Sequence, residues 1–151
     1  MLPNFTNKGN LPAGIHLANW AEFTARFGWS SRRRDLLNGL EAALIALQQA
    51  GCGAVYIDGS FVTSKDLPGD YDACWDINSV DVTLLDPTFL DFSNSRKAQK
   101  TKYAGEFFPA QMPEGMSGKT FLEFFQEDRY GNRKGIVALD LTQIVFSGGN
   151  P

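Results

Sequence analysis

Histidine and cysteine are scarce in this chain: one histidine, His16, and two cysteines, Cys52 and Cys74, in 151 residues. The two thiols make neither a disulfide framework nor a metal knuckle, and a reduced, cytoplasmic setting is the simplest reading. A lone histidine near the N-terminus reads as structural or exposed. Long apolar runs are also missing, so nothing in the sequence is expected to span a bilayer. The start, Met1-Leu2-Pro3-Asn4, lacks a basic region followed by an apolar run, and no signal peptide is expected. A basic excess is lacking too: net charge is −3, so no overall field draws the protein onto nucleic acid. There are no internal repeats and no low-complexity segments.

What is present is the composition of a globular protein, with 43% hydrophobic and 21% charged residues. Twelve Phe and three Trp favour a well-packed core or an aromatic-lined pocket. The length suits one sizeable core. Residues 1–18 read as an irregular N-terminal arm, broken by Pro3, Gly9, Pro12 and Gly14, and 19–151 as a single domain. Asn19 is placed to cap a short helix presenting Trp20, Phe23 and Phe27 on one face, with Gly28 closing it. Ser30 or Ser31 caps a longer helix running to about Ala50, with Leu36, Leu37, Leu40, Ala43, Leu44 and Leu47 at helical spacing.

A strand over Ala54–Ile57 follows, and a loop with Pro68-Gly69 leads to a second strand from Asp70 to about Trp75. Further strands are expected over Val80–Leu84, Glu106–Gln111 and Gly135–Ile144. A helix start is expected at Asp86-Pro87, a short helix over Thr120–Gln126 with Phe121, Phe124 and Phe125 in the core, and a turn at Tyr130-Gly131-Asn132. The order does not alternate regularly enough for a doubly wound sheet. It fits an α/β (α+β) protein with a small mixed β-sheet backed by helices.

The densest chemical signal is Gly59-Ser60 after the first strand, followed by Asp70-Tyr71-Asp72 at the start of the next. Residues i and i+2 of a strand share a face, so Asp70 and Asp72 present two carboxylates together. Small residues at Gly59-Ser60 let backbone N–H groups approach an anion closely. Lys65, in the loop between, is a candidate phosphate contact. Asp140 in the last strand is the candidate third carboxylate and Glu106 its rival; Asp76 reads as a turn residue. Arg32-Arg33-Arg34 places cations at a helix start, against the macrodipole, which marks either an anion or RNA contact or a solvated face. The basic run Arg96 to Lys102 has the same two readings.

In these residues the chain resembles the nucleotidyltransferase superfamily with the DNA polymerase β-like fold. The likeness extends through Leu11-Pro12-Ala13-Gly14-Ile15-His16, Gly59-Ser60-Phe61-Val62-Thr63, Pro68-Gly69-Asp70-Tyr71-Asp72, Phe124-Phe125-Gln126 and Lys134-Gly135-Ile136-Val137 to a group of small bacterial nucleotidyltransferase-like proteins. The resemblance implies that Asp70, Asp72 and Asp140 bind Mg²⁺ (or Mn²⁺) and that Gly59, Ser60 and Lys65 contact the phosphates of a nucleoside triphosphate. It implies transfer of a nucleoside monophosphate to a hydroxyl on a protein, an RNA or a small molecule. The alternative it carries is a catalytically inactive nucleotide- or partner-binding module of the same fold. Stand-alone members occur in toxin–antitoxin and phage-defence pairs, which implies a protein partner by analogy alone. Asp76 departs from the superfamily pattern, which continues after the acidic pair with an apolar run.

Overall fold

The structure is a computed structural model that describes residues 1–146. It holds a five-stranded mixed sheet with helices on both faces. In chain order the elements are β1 (Gly14–Ala18), α1 (Trp20–Phe27), α2 (Ser31–Gln49), β2 (Ala54–Asp58), β3 (Tyr71–Trp75), α3 (Ser93–Tyr103), β4 (Gly105–Pro109), α4 (Phe121–Phe124) and β5 (Gly135–Asp140). Short 3₁₀ turns cover Ser60–Val62 and Pro87–Leu90. The sheet order is β1-β5-β2-β3-β4. β2 runs antiparallel to both β3 and β5, and β1 and β4 are parallel to their neighbours β5 and β3.

The first two helices form where caps and apolar spacing agree. Asn19 accepts the Glu22 N–H at 2.8 Å and starts α1. Ser30 accepts the Arg33 N–H at 3.1 Å and starts α2. Leu36, Leu40, Leu44 and Leu47 of α2 pack on Val55, Ile57, Tyr71, Ala73, Phe107, Val137 and Leu139 of the sheet, in one core with Phe23, Phe27 and Phe61. The opposite face is more thinly covered. There Cys74, Ala110, Phe125 and Ile136 form a small second cluster, with Tyr56, Phe108, Phe121 and Leu122 against it. Both cysteines are buried free thiols.

The structure revises several expectations. The arm is not irregular throughout: Gly14–Ala18 is the edge strand β1, paired with β5, and Leu2 and Leu11 are buried in the core. Val80–Leu84 is not a strand, because Asp81 accepts both the Thr83 N–H (2.9 Å) and its hydroxyl (2.7 Å) and closes a turn. The last strand stops at Asp140 rather than Ile144, because Asp140 captures the Thr142 N–H and hydroxyl at 2.9 and 2.6 Å. Asp86 does cap a helical turn, but a short 3₁₀ one. Phe125 is buried, whereas Phe124 faces solvent. No helix among the described residues is long and apolar enough to cross a membrane.

Candidate metal centre and the adjoining cleft

Alternation along the strands puts Val55, Ile57, Tyr71, Ala73 and Phe107 in the main core and turns their neighbours the other way. Asp58, Asp72 and Glu106 therefore face the thinly covered side. The strand register aligns them in one row, Asp58 opposite Asp72 and Asp72 opposite Glu106. Asp70, one residue before β3, joins them. Among the described residues, Asp70, Asp72 and Glu106 form the one group of three acidic side chains whose ligand oxygens all lie within 4.8 Å of one another.

Such a concentration of negative charge resists ionisation. Burial, then Asp70, Glu106 and Asp58, push the Asp72 carboxyl up to about 7. Burial and then Glu106 raise Asp70, opposed by Lys100, Arg32 and Lys65. Burial also raises Asp58, while Lys134 and the Gly59 N–H pull it back. Asp70, Asp72 and Glu106 are three half-buried carboxylates that could hold a divalent cation, and an all-oxygen set suits Mg²⁺ or Mn²⁺ over softer metals.

Asp140 is not part of this group. It shares the face by parity but pairs in register with Ala54, at the opposite end of β2 from Asp58. At about 3.3 Å per residue, four positions place it about 13 Å along the sheet. β3, β4 and β5 all run in one direction, so a partner for carboxylates at the start of β3 comes from the start of a neighbouring strand. Glu106 holds that position and Asp140, at the end of β5, does not. Glu106 thus replaces Asp140 as the third carboxylate. Asp76, as expected, closes a turn by accepting the Asn78 N–H at 2.8 Å.

Gly59 joins β2 to the loop with φ of +88°, and a Cβ there would lie 3.0 Å from Asp72 Oδ2 and 3.3 Å from the Asp72 nitrogen. Only glycine lets the turn pass so close to the acidic row. Gly59 and Ser60 line a cleft of about 250 Å³ with Asp58, Arg129, Tyr130 and Lys134. Lys134 Nζ is 3.0 Å from the buried Asp58. Lys65 does not line that cleft. Its side chain is exposed and bears on Asp70 electrostatically.

The arginines at the start of α2 hold this loop in place. Arg33 is fully buried and donates to the carbonyls of Phe27 (3.1 Å), Phe61 (2.6 Å), Thr63 (2.8 Å) and Lys65 (2.7 Å). Its guanidinium stacks on Trp29, 3.6 Å from the ring centre. Arg32 donates to the carbonyls of Pro68 and Gly69, and Arg34 to that of Gly28. Arg33 and Arg32 thus clamp the loop, while Arg32 and Arg34 are also exposed, as the solvated-face reading expects. His16 is structural as well, its Nε2 2.6 Å from the Pro12 carbonyl oxygen.

The basic run is divided in the same way. Lys102 pairs with Asp86 at 2.7 Å. Arg96 Nε donates to Glu106, and Lys100 stands 3.8 Å from it. Arg96 reaches Glu106 from a left-handed turn of three consecutive non-glycine residues, Asn94, Ser95 and Arg96, with φ of 51°, 55° and 62°. Left-handed backbone is unfavourable for such residues, so the surrounding packing must hold it.

Sequence reasoning missed Asp58 and Lys134. Asp58 alternates with Tyr56 at the end of the strand, and that parity was the available signal. Glu106 is the second residue of β4, the position Asp72 holds in β3, a match that appears only once the strands are in register.

A half-buried acidic trio on a mixed sheet, beside a glycine turn and a cleft lined by Asp58, Asp128, Arg129 and Lys134, defines a protein with a candidate divalent-metal site. The chain belongs to a family of unknown function (DUF6932), whose model matches residues 3–140 and so spans every residue of that site. No curated protein and no solved structure matches the chain.

Proposed function

We propose that this protein is a Mg²⁺-dependent nucleotidyltransferase-like enzyme of the polymerase β-like fold, acting on a nucleoside triphosphate and an acceptor hydroxyl. The observation that carries this reading is the convergence of Asp70, Asp72 and Glu106 beside the Gly59-Ser60 turn. Mg²⁺ held by that trio would polarise the α-phosphoryl group and offset charge on the attacking and leaving oxygens. The acceptor oxygen bonds to the α-phosphorus, the bond to the bridging oxygen breaks, and its electron pair leaves with pyrophosphate. The acceptor proton passes to a carboxylate of the trio or to water. The chain's own contribution is geometric: Gly59 brings the turn against Asp72, and Arg32 and Arg33 hold the loop between them.

A second reading, a nucleotide- or partner-binding module without catalysis, is favoured by one contact. Glu106 already has cations in Arg96 and Lys100, so the trio is partly neutralised by the protein itself. The two readings separate by experiment. Protein incubated with Mn²⁺, each of the four ribonucleoside triphosphates and candidate protein, RNA and small-molecule acceptors releases pyrophosphate if it is an enzyme. Metal-dependent nucleotide binding with no release from any mixture supports the module. Absence of metal-dependent binding contradicts both.

A further inference from the structure

The two edges of the sheet are finished differently. β2 lies at its centre, and the bonding pattern there fixes which way the backbone groups of the other strands face. The Asp76 N–H donates to the Ala54 carbonyl at 3.0 Å, so the even residues of β2 bond to β3, and Val55 and Ile57 bond to β5. On β5, Val137 and Leu139 are therefore turned to β2, and Ile136 and Ala138 to β1. In a parallel pair those two residues engage Gly14, His16 and Ala18, which leaves the N–H and C=O groups of Ile15 and Leu17 pointing out of the sheet. Nothing among the described residues pairs with those groups.

The other edge, β4, is closed. The Ala110 N–H donates to the Trp75 carbonyl at 2.9 Å, and the same alternation turns Phe107 and Pro109 outward. Gln99 Oε1 accepts the Phe107 N–H at 2.7 Å, and Pro109 has no N–H to offer. β1 has no such protection. It carries neither lysine nor proline, and no Asp, Glu, Lys or Arg stands between Lys8 and Glu22. Ile15 and Leu17 are 45% and 66% exposed, and by parity both side chains lie on the face of Ile136 and Ala138.

An open row of backbone donors and acceptors selects an extended strand as its occupant. The sequence of β1 selects which strand. Turned about a two-fold axis through His16, β1 meets itself with Ile15 opposite Leu17 and Leu17 opposite Ile15. Both are hydrogen-bonded positions of an antiparallel pair, so every outward N–H and C=O of the two residues finds a partner. Each apolar side chain then lies beside an apolar one, and no like charges are opposed.

We propose that β1 is the contact between two copies of this chain, joined as an antiparallel β1–β1 pair that makes one continuous sheet of the two. The acidic trio lies on β3 and β4 towards the far edge, so both sites stay open at opposite ends of that sheet. The pairing is independent of what the trio binds. A five-residue edge is small against the roughly 1,200–2,000 Å² of a stable interface, so the association is weak and is read at high protein concentration.

The test is sedimentation equilibrium of the full chain from about 10 µM to 1 mM, on wild type, Leu17→Lys and Leu17→Pro. The lysine replaces an exposed side chain, and the proline removes an N–H that no other strand of the same chain uses, so both variants keep the fold, which circular dichroism checks. The register is tested separately by oxidising Ile15→Cys and Leu17→Cys proteins, alone and mixed; the native thiols of Cys52 and Cys74 are buried. Directly opposed residues have Cα atoms about 5.5 Å apart, within disulfide reach. The expected mass in wild type rises from 16.7 kDa towards twice that value. Dimerisation is weakened by about 10-fold or more in both Leu17 variants. A cross-link forms in the cysteine mixture and in neither protein alone. Wild type that stays monomeric throughout leaves the edge to a strand of another protein and overturns the proposal. A dimer that both Leu17 variants leave unchanged overturns it too, as does one that cross-links in either single-cysteine protein as readily as in the mixture.

Discussion

Asp72 and Glu106 stand directly opposite each other on two adjacent parallel strands, on the face of the sheet away from the long helices. Like charges in register are destabilising for a sheet, by up to about 1 kcal/mol per pair. Asp58 and Asp70 add to the same crowd. The fold keeps an electrostatic conflict here that a divalent cation would relieve, and several consequences can be measured.

Asp72 sets a pH dependence of stability. Its carboxyl is raised to about 7 in the folded protein, against about 3.9 in an unfolded chain. Between those values the folded state holds a proton that the unfolded state has released, so stability falls as pH rises through this window. Asp58 and Asp70 are shifted in the same direction and act with it. Thermal melts in a chelator are expected to show lower stability at pH 8 than at pH 5.5, by about 1–3 kcal/mol. Mn²⁺ reverses that slope and Asp72→Asn flattens it. A stability that rises with pH in the chelated protein contradicts the electrostatic account.

Gly59 tests the close approach of the turn. Gly59→Ala adds a Cβ at 3.0 Å from Asp72 Oδ2, at a φ that alanine adopts poorly. A loss of about 1–3 kcal/mol on denaturation is expected, with weaker Mn²⁺ binding because Asp72 is displaced. A neutral substitution shows that the turn relaxes without moving Asp72.

Arg33 tests the loop clamp. Arg33→Met leaves the carbonyls of Phe61, Thr63 and Lys65 without their buried donor. Loss of about 2–5 kcal/mol in urea unfolding is the expected outcome. A change below about 0.5 kcal/mol, the range of ordinary surface substitutions, would place the clamp outside the stability of the loop.

Arg96 tests whether the protein supplies its own cation to the trio. Arg96→Gln removes the guanidinium from Glu106. Mn²⁺ affinity then rises by about 3–10-fold if Arg96 competes with the metal. A fall in affinity shows instead that Arg96 orients Glu106 as a ligand.

Helices α1 and α2 and strands β2 and β3 were legible because local signals agreed: caps at Asn19 and Ser30, leucines at helical spacing, and clean alternation through Tyr71, Ala73 and Trp75. β1 was not, since Ile15 and Leu17 of an edge strand stay exposed and its pairing partner lies over a hundred residues on, at Ile136 and Ala138. Val80–Leu84 has strand-like composition, but the Asp81 side chain offered its backbone a local alternative. Asp70 and Asp72 were visible as a motif. The choice between Asp140 and Glu106 depended on strand direction and register, which no local pattern carries. Arg32 and Arg33 were conspicuous in sequence, yet their partners are backbone carbonyls that any residue supplies.

The central claim is that Asp70, Asp72 and Glu106 form one metal site and that Asp140 lies outside it. Titration of Mn²⁺ followed by electron paramagnetic resonance, on wild type, Asp72→Asn, Glu106→Gln and Asp140→Asn, tests it directly. The account predicts saturable binding in wild type and Asp140→Asn, with at least a 10-fold loss in Asp72→Asn and Glu106→Gln. Loss in Asp140→Asn with Glu106→Gln unaffected, or no saturable binding in wild type, would contradict it.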